Sequence, residues 1–504
     1  MELLKKFATS STCKYDLLIL IILQLALGLP FLSSIPRIYV DEAWDAALGY
    51  NLANEGKLSH PFIIGFGGMD IQFVQNRVVL PLVCATMFKF VDCTIFTSRL
   101  CSQLLAIFAV VGLYAAMHRW FGRKQALFIT LATIIHPWFF EVARRARPEI
   151  YYTAFAIIFL WLLILYFESG SSVIAFLSGI TAGLAALTHP NGILIIFSIS
   201  LAFAIWIRGK SIGKLVLLAG VGLAITVLPY IIYVYLASQN SQVNFFDQMQ
   251  SGMVYRFSIF WELGRWKRFF MRFRLLPVAP VMLLSWVAAW YRSDRKDKAL
   301  ATITFLFSFV LFLVTVNRDE RYLAAIVPFW SALIIRLIWR LATDESFIWC
   351  KKIKTPFAAG VIIAGVYMVT CLAGIGTIFY CLRGADFNKI IKRIAAVVEP
   401  DSRVYGNPVF WFRHKDYQYA PYLISYKGIP VQDAVEMILE YEPDYIIRTT
   451  WWTGPPLGIE PAPTSMPEFK KGWLVDIVCQ RLGKKVDEFH DPYYGPIEIY
   501  KLER

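Results

Sequence analysis

The sequence predicts an all-α polytopic membrane protein of about eleven transmembrane helices, followed by a small C-terminal α/β domain. Of its 504 residues, 57% are hydrophobic and 17% are charged, whereas soluble domains carry about a quarter charged residues. Apolar runs of membrane-spanning length recur as far as residue 380, and from about Gly384 the chain becomes rich in Pro, Asp, Lys and Tyr. These observations define residues 1–383 as a membrane domain and 384–504 as a second domain.

A helix that crosses the hydrocarbon core needs about 20 apolar residues, with about 17–25 as the usual range. The expected spans are 17–35, 99–117, 125–140, 150–167, 172–187, 192–207, 214–237, 275–291, 299–316, 322–340 and 356–380. The apolar segment 78–91 is interrupted by Lys89 and closed by Asp92. We therefore expect it to be an interfacial helix within the first outer loop, 36–98.

The distribution of basic residues predicts the orientation. Lys5, Lys6 and Lys14 favour a cytoplasmic N-terminus. The connectors 118–124, 168–171, 208–213, 292–298 and 341–355 then face the cytoplasm, and all except the small 168–171 connector are basic, as the positive-inside rule requires. If 78–91 spanned the membrane, these clusters would face outward. The net charge of +14 is thus a topology signal that predicts an inner (plasma) membrane protein without a nucleic-acid partner.

Two extracytoplasmic regions stand out. The outer loop 238–274 carries six Arg or Lys residues among aromatic ones, and residues 255–274 are typical of an interfacial helix. It could be an anchor on membrane lipids or a platform for a lipid-phosphate headgroup. In the tail we expect strands at 403–405, 445–448, 474–478 and 497–501 and an amphipathic helix at 431–441. The tail could be a stabilising cap or an acceptor-selecting domain.

Ionisable residues at the edges of spans are costly and are therefore functional candidates. Four polar clusters fall on the outer side of the predicted topology: 40–45 (VDEAWD), 141–149 (EVARRARPE), 188–192 (THPNG) and 317–322 (NRDERY). A carboxylate can remove the proton of an attacking hydroxyl or amine, and guanidiniums can bind a phosphate and stabilise it as a leaving group. Each cluster also has a structural interpretation as a solvated loop, a helix start or a helix cap.

Several catalytic motifs are missing from the sequence. It contains no P-loop, no H-E-x-x-H zinc motif and no G-x-S-x-G nucleophile elbow. An enzyme that works outside the cytoplasm has little access to nucleotide-activated sugars, so a transferred group should come from a membrane-embedded donor. A polyprenyl-phosphate sugar meets that requirement.

The order of motifs resembles the GT-C class of membrane glycosyltransferases, in the bacterial branch of the protein O-mannosyltransferases and the lipid A aminoarabinose transferase. The resemblance rests on an outer DEA motif at 41–43, a G-x-L-x-x-P stretch at 56–61, Ser98-Arg99-Leu100, Arg119–Arg123, Ala146–Glu149 and Glu320–Leu323 with Pro328. It covers roughly residues 15–340.

The resemblance implies roles for individual residues. Asp41 would be the catalytic carboxylate with Glu42 beside it, and Glu149 would be a second acidic group that orients acceptor or sugar. The candidates for the donor phosphate are Arg147, Arg318 and Arg321, with Tyr322 in support and Arg77 in place of a lysine that relatives carry. No D-x-D motif is present, so no metal is expected to be required, while a divalent metal stays open.

The resulting expectation is inverting transfer of a sugar from a polyprenyl-phosphate donor to a lipid, glycan or protein acceptor on the extracytoplasmic face. The alternative is a transporter or flippase of a lipid-linked or amphipathic substrate, which predicts ionisable residues deep inside several spans and a repeat between chain halves. A membrane polymerase or ligase of surface glycans is a third interpretation. The sugar, the acceptor, and the choice between Asp41 and Glu42 as base are left open.

Overall fold

The computed structural model describes residues 11–60, 68–207, 212–245, 248, 259–291, 294–314, 320–343, 355–381, 383–384, 386–414, 419–421, 436, 438–449 and 478–503. The helices of the membrane domain are α1 (Ser11–Gly28), α2 (Val40–Glu55), α3 (Val79–Phe88), α4 (Ile95–Phe121), α5 (Arg123–Ile134), α6 (Pro137–Ala143), α7 (Pro148–Ser169), α8 (Ser172–Thr188), α9 (Pro190–Trp206), α10 (Ile212–Ala237), α11 (Ile259–Arg272), α12 (Val278–Trp290), α13 (Arg295–Val314), the 3₁₀ helix Glu320–Ile326, α14 (Val327–Thr343) and α15 (Thr355–Cys381).

Every predicted span overlaps one of these helices. Five spans in the described part of the chain are long and apolar enough to cross a membrane: α4, α7, α10, the 3₁₀ helix with α14, and α15 from Phe357. The pair α5 and α6 passes the same test as one segment bent by 68°, because Pro137 disfavours helical backbone at the preceding His136. The chain is thus an integral membrane protein, and the figure of about eleven spans stays a prediction.

The segment 78–91 forms α3, which has ten residues and a length of about 15 Å at 1.5 Å per residue. That is about half of the hydrocarbon core, which supports an interfacial helix. α3 packs closely on α2, since a Cβ on Gly49 would lie 2.8 Å from that of Cys84. The connector before α3 is held from the side by α10, whose Tyr230 and Tyr233 hydroxyls donate to the carbonyls of Val74 and Phe73.

Ion pairs with buried carboxylates lie near the predicted cytoplasmic connectors. Asp16 of α1 accepts hydrogen bonds from Arg123 and from the Tyr114 hydroxyl. Asp297 of α13 is paired with Arg336 and Arg340 of α14. Buried carboxylates need such partners, so part of the basic character of the predicted cytoplasmic connectors fixes the helix ends to one another.

The C-terminal domain contains α16 (Phe387–Val397), α17 (Trp411–His414) and a five-stranded sheet in the order β2-β1-β3-β5-β4. The strands are β1 (Val404–Gly406), β2 (Tyr419–Pro421), β3 (Tyr445–Thr449), β4 (Gly483–Asp491) and β5 (Gly495–Leu502). β1 runs parallel to β2 and β3, whereas β5 is antiparallel to β3 and β4.

The predicted strands 403–405, 445–448 and 497–501 coincide with β1, β3 and β5 to within a few residues. Residues 474–477 lie outside the described residues, and the expected strand is wrong at Val478, which is helical. Of the predicted helix 431–441, only 436 and 438–441 are described, and 436 and 438–440 are helical.

The C-terminal domain shares one hydrophobic core with α2. Ala43 and Ala47 belong to the same buried cluster as Phe410 and Tyr494. The Ile38 amide also donates to the Tyr494 hydroxyl at 3.2 Å. The start of α2, which carries the predicted acidic motif, is therefore positioned by both domains.

Candidate active site

Asp41, Arg147 and Glu149, which the sequence singled out separately, form one ionic chain. Arg147 is the residue before α7, where its extended backbone precedes Pro148 at the first helical turn. Its guanidinium pairs with the Asp41 carboxylate and, through Nη2, with Glu149 Oε1 at 2.8 Å. Arg147 and Glu149 are buried, but the Asp41 side chain is 36% exposed. Asp41 therefore presents a carboxylate to solvent from an otherwise enclosed cluster.

Glu42, the neighbour of Asp41, is completely buried and occupied on both oxygens. Its carboxylate accepts two hydrogen bonds from Arg99 at 2.8 and 2.9 Å and one each from the amides of Tyr39 and Ala146. Burial by itself would raise the pKa of Glu42, but the Arg99 guanidinium outweighs it and keeps this pKa below its ordinary value. Glu42 thus joins α2 to α4 and to the turn before α7.

That turn, 144–147, carries further arginines in structural contacts. Arg144 is fully buried and donates to the carbonyls of Leu27, Gly28, Pro30 and Ile35. The last carbonyls of a helix lack intrahelical partners, so Arg144 satisfies the end of α1. Arg145 pairs with Glu141 at 2.8 Å. The 141–149 motif is therefore both a helix start, as the structural interpretation proposed, and a part of the ionic site.

Asp45 and Arg77 form a second pair beside Asp41, and the sequence analysis did not single out Asp45 as a site residue. The Asp45 carboxylate is almost fully buried and meets Arg77 Nη2 at 3.2 Å. Burial raises the pKa of Asp45 to about 7, with Arg77 opposing and Asp41 reinforcing this increase. The four-residue spacing from Asp41 places both acids on one helix face, which is the sequence signal that could have identified Asp45.

Three arginines from two segments, the 144–147 turn and the 3₁₀ helix, lie near the ring of Tyr39. The guanidinium carbons of Arg321, Arg147 and Arg145 lie 4.1, 5.0 and 5.8 Å from its centroid. Cations over an aromatic face are attracted by its quadrupole, so Tyr39 helps to concentrate positive charge at this point. A tyrosine at position 39 of the sequence does not by itself predict that arginines gather over its ring.

Arg321 and Tyr322 lie in the 3₁₀ helix that leads into α14 and are both buried. The Tyr322 ring lies 5.4 Å from that of His189, between centroids, and His189 lies 5.9 Å from Tyr152 of α7. His189 Nδ1 also accepts from the Asn191 amide at the start of α9, which is the structural role considered for the THPNG motif. Arg318 lies outside the described residues.

The basic helix of the 238–274 loop is α11, and its last turn is tied into the site. Arg272 contacts Glu141 at 2.6 Å and Glu320 at 2.9 Å, and Arg268 contacts Glu320 at 3.3 Å. Lys267 and Arg268 are exposed, whereas Arg265 is buried. Part of the charge of α11 is therefore matched by acids of the protein rather than left for lipid headgroups.

The described residues contain no group of three or more His, Cys, Asp or Glu side chains that could hold a metal ion. The positive charge that faces Asp41 comes instead from guanidinium groups. In chemical terms, the site combines one accessible carboxylate with several arginines that can bind an anion.

One family model matches part of the chain. Residues 78–233 match the model of the family described as dolichyl-phosphate-mannose-protein mannosyltransferase, which is less than a third of the chain. A search of curated protein sequences finds no match.

Similar solved structures cover nearly the whole chain. ArnT from Cupriavidus metallidurans, bound to undecaprenyl phosphate, has a TM-score of 0.65 at 12% identity, over 96% of this chain and 97% of that chain. The Archaeoglobus fulgidus oligosaccharyltransferase in complex with Zn and sulfate has a TM-score of 0.54 at 12% identity, over 96% and 72%. The archaeal oligosaccharyltransferase AglB from Archaeoglobus fulgidus, in complex with an inhibitory peptide and a dolichol-phosphate, has a TM-score of 0.51 at 11% identity, over 97% and 74%.

The fold is that of GT-C membrane glycosyltransferases, and the resemblance predicted from the sequence is confirmed. The similarity to ArnT extends over both domains, because it covers 96% of this chain.

Proposed function

We propose that this protein transfers a sugar from a polyprenyl-phosphate carrier to an acceptor on the extracytoplasmic face of the membrane, with inversion at the anomeric carbon. The observation that carries the proposal is the placement of Asp41, a partly exposed carboxylate, in direct contact with Arg147 and within electrostatic reach of Arg77. Arg321 lies over the same Tyr39 ring as Arg147. This arrangement pairs a base with an anion-binding group, as displacement of a phosphate by a hydroxyl requires.

Asp41 is assigned as the general base. As the acceptor oxygen forms its bond to the anomeric carbon, its proton passes to the Asp41 carboxylate, and the bond from that carbon to the phosphate oxygen breaks. Polyprenyl phosphate leaves with the bonding electron pair. Glu42 is assigned a positioning role, because Arg99 and two backbone amides already occupy its oxygens.

The arginines are assigned to the phosphate. Arg77 has one 3.2 Å contact to Asp45, and its buried Nε has no hydrogen-bond partner among the described residues. It therefore retains donors for an anion. Arg321, stacked on Tyr39, and Arg147 supply further charge, and Tyr322 supports Arg321 from the next position. Glu149 positions Arg147, and Arg318 remains a candidate from the sequence alone.

The proposal does not include a required metal, because guanidiniums meet the negative charge of the leaving group. The fold neighbours support the type of donor: ArnT was solved with undecaprenyl phosphate and AglB with a dolichol-phosphate. We place the N-terminus in the cytoplasm and the C-terminal domain outside the inner membrane, following the positive-inside pattern. The acceptor is a lipid, a glycan or a protein.

The test is transfer from a radiolabelled undecaprenyl-phosphate sugar in proteoliposomes, with native membranes as the source of acceptor. Asp41→Asn should lower the rate about 10²- to 10⁴-fold, the usual contribution of a general base. Glu55→Gln changes an exposed acid at the other end of α2 and is the matched control. Binding of undecaprenyl phosphate should survive in both variants, and transfer should persist in excess EDTA.

Two outcomes would contradict the proposal. Full activity of Asp41→Asn would remove Asp41 from the chemistry. Absence of transfer by the wild type across a panel of donors, together with movement of lipid between leaflets, would favour the transporter.

A further inference from the structure

A pocket lies at the far end of α2, where the two domains meet. Its cavity volume is about 460 Å³, within the range of about 300–1,000 Å³ that is typical of ligand sites. The walls come from the last turns of α2, the end of α3, the 92–95 connector to α4 and the first turn of α16. Ligand pockets occur preferentially at such domain junctions.

The lining combines aromatic rings with uncharged hydrogen-bonding groups. The lining includes the half-buried Tyr50, the nearly buried Phe387 and Phe412, and the exposed Asn54 and Asn388. Each carboxamide offers donors and an acceptor, so it can bind two neighbouring hydroxyls of one sugar, and an aromatic ring can cover the apolar C–H face. This chemistry suits a saccharide better than an anion, because Asp92 adds negative charge to the same pocket.

The pocket is too far from Asp41 to hold the part of a substrate that reacts. Asn54 follows Asp41 by thirteen residues on α2, so the two are about 20 Å apart along the helix axis. A ligand in the pocket would therefore be a distant part of a substrate whose reactive end lies at Asp41.

Two exposed apolar residues lie in the chain segment between the lining residues Phe88 and Asp92. Phe90 and Val91, in the connector that follows α3, are 83% and 50% exposed. Apolar side chains on an interfacial segment insert at the level of the lipid headgroups. A position next to the lipid headgroups favours a saccharide that is carried on a membrane lipid.

We propose that the pocket between α2 and α16 binds the saccharide headgroup of a glycolipid acceptor, at a distance from the bond-forming site. The proposal rests on the proposed glycosyl transfer and gives the C-terminal domain the acceptor-selecting role. α16 supplies both a ring and a carboxamide, at Phe387 and Asn388, so the membrane domain alone forms only part of the pocket.

The experiment blocks the pocket covalently. Asn388→Cys places an exposed thiol in the lining, and Lys389→Cys places an exposed thiol next to it, outside the lining. Labelling of the wild type measures the contribution of the native cysteines, of which those described are buried except for the half-buried Cys381. Both variants are labelled with a bulky maleimide in proteoliposomes and compared for thermal stability, undecaprenyl phosphate binding and transfer.

We expect labelled Asn388→Cys to lose at least tenfold in transfer while keeping its stability and its undecaprenyl phosphate binding, and labelled Lys389→Cys to keep all three. Equal transfer by the two labelled variants would overturn the proposal. A loss of undecaprenyl phosphate binding in labelled Asn388→Cys would overturn it too, because the pocket would then serve the donor.

A second readout does not depend on catalysis. The rate of maleimide labelling at Asn388→Cys is measured with Kdo₂-lipid A, with lipid II, with an undecaprenyl-diphosphate oligosaccharide and with sugar-free phosphatidylglycerol. At least threefold protection by one of the three glycolipids, with none by phosphatidylglycerol and none at Lys389→Cys, supports the pocket even if the wild type transfers no sugar. Protection by none of the glycolipids overturns it and leaves the proposed transfer unaffected.

Discussion

Asp45 is the residue of the candidate site whose ionisation should be easiest to detect. It is nearly fully buried, and burial raises its pKa from an ordinary 3.8 to about 7. The charged groups that act on it are Arg77 and Arg147, which favour its carboxylate, and Asp41 and Glu149, which oppose it. We predict that Asp45→Asn removes a pH-dependent loss of stability that the wild type shows.

The sign and size of this effect follow from proton binding. Between pH 4 and pH 7 the folded protein keeps the Asp45 proton while the unfolded chain releases it, so the free energy of unfolding falls as pH rises. The stability that Asp45 contributes by keeping its proton in the folded protein is fully present below about pH 3.8 and is lost once the pH has passed about 7. At about 1.4 kcal/mol per pKa unit, the full loss is about 4 kcal/mol. Asn cannot ionise and does not incur it.

The assay is thermal unfolding of wild type and Asp45→Asn in detergent from pH 5 to pH 9. The difference between the two proteins isolates Asp45 from all other titrating groups. We expect the variant to gain stability relative to the wild type as pH rises towards 7 and to keep that gain above it. Glu55→Gln, an exposed change on the same helix, should stay within about 0.5 kcal/mol of the wild type throughout. Parallel curves for wild type and Asp45→Asn would refute the reasoning.

Donor binding should follow the same titration. An ionised Asp45 competes with the donor phosphate for Arg77, so the KM for the undecaprenyl-phosphate sugar should rise above about pH 7 in the wild type. In Asp45→Asn that dependence should be absent. If the KM of Asp45→Asn rose with pH as it does in the wild type, the competition between Asp45 and the donor phosphate for Arg77 would be excluded.

Two further predictions concern the groups that hold the site together. Glu42→Gln leaves the buried Arg99 without its counter-charge, so it should destabilise the protein by about 3–5 kcal/mol, measured as a lower unfolding temperature; unchanged stability would contradict the structural role. Tyr39→Leu removes the ring beneath three arginines and should raise the donor KM about tenfold, since a desolvated cation–π contact contributes about 1–2 kcal/mol, whereas Tyr39→Phe should resemble the wild type. Equal KM values for the two Tyr39 variants would exclude this contribution.

Much of the membrane domain could be predicted from the sequence because span length and hydrophobicity are local properties. The segment 99–117 is apolar over enough residues to require a helix, and α4 covers it. The segment 78–91 was separated from the spans by Lys89 and Asp92, and by the basic connectors that would face outward if it crossed the membrane. The C-terminal sheet was harder, because its strands are short and pair across long separations: β1 pairs with β3, about 40 residues further along the chain.

The partners within the site could not be predicted in the same way. Arg99 and Glu42 are 57 residues apart, and Arg272 and Glu141 are 131 apart, so only the packing of the helices brings them together. Sequence reasoning grouped charged residues by the side of the membrane they face, which placed Asp41, Arg147 and Glu149 on the same side without predicting their contacts. It treated the basic helix near Arg272 as a surface element, although its last turn reaches into the ionic network.

The choice between Asp41 and Glu42 as base shows why the surroundings of a site residue cannot be predicted from the sequence. The two acids are adjacent, and a helix turns about 100° per residue, so they must face different surroundings. Which of them faces the interior depends on where α2 begins and on which side it meets α4. The structure places Glu42 against Arg99 with both oxygens occupied, and leaves Asp41 36% exposed and paired with Arg147. A group that must accept a proton needs both access and a free lone pair, and of the two acids Asp41 alone meets both conditions.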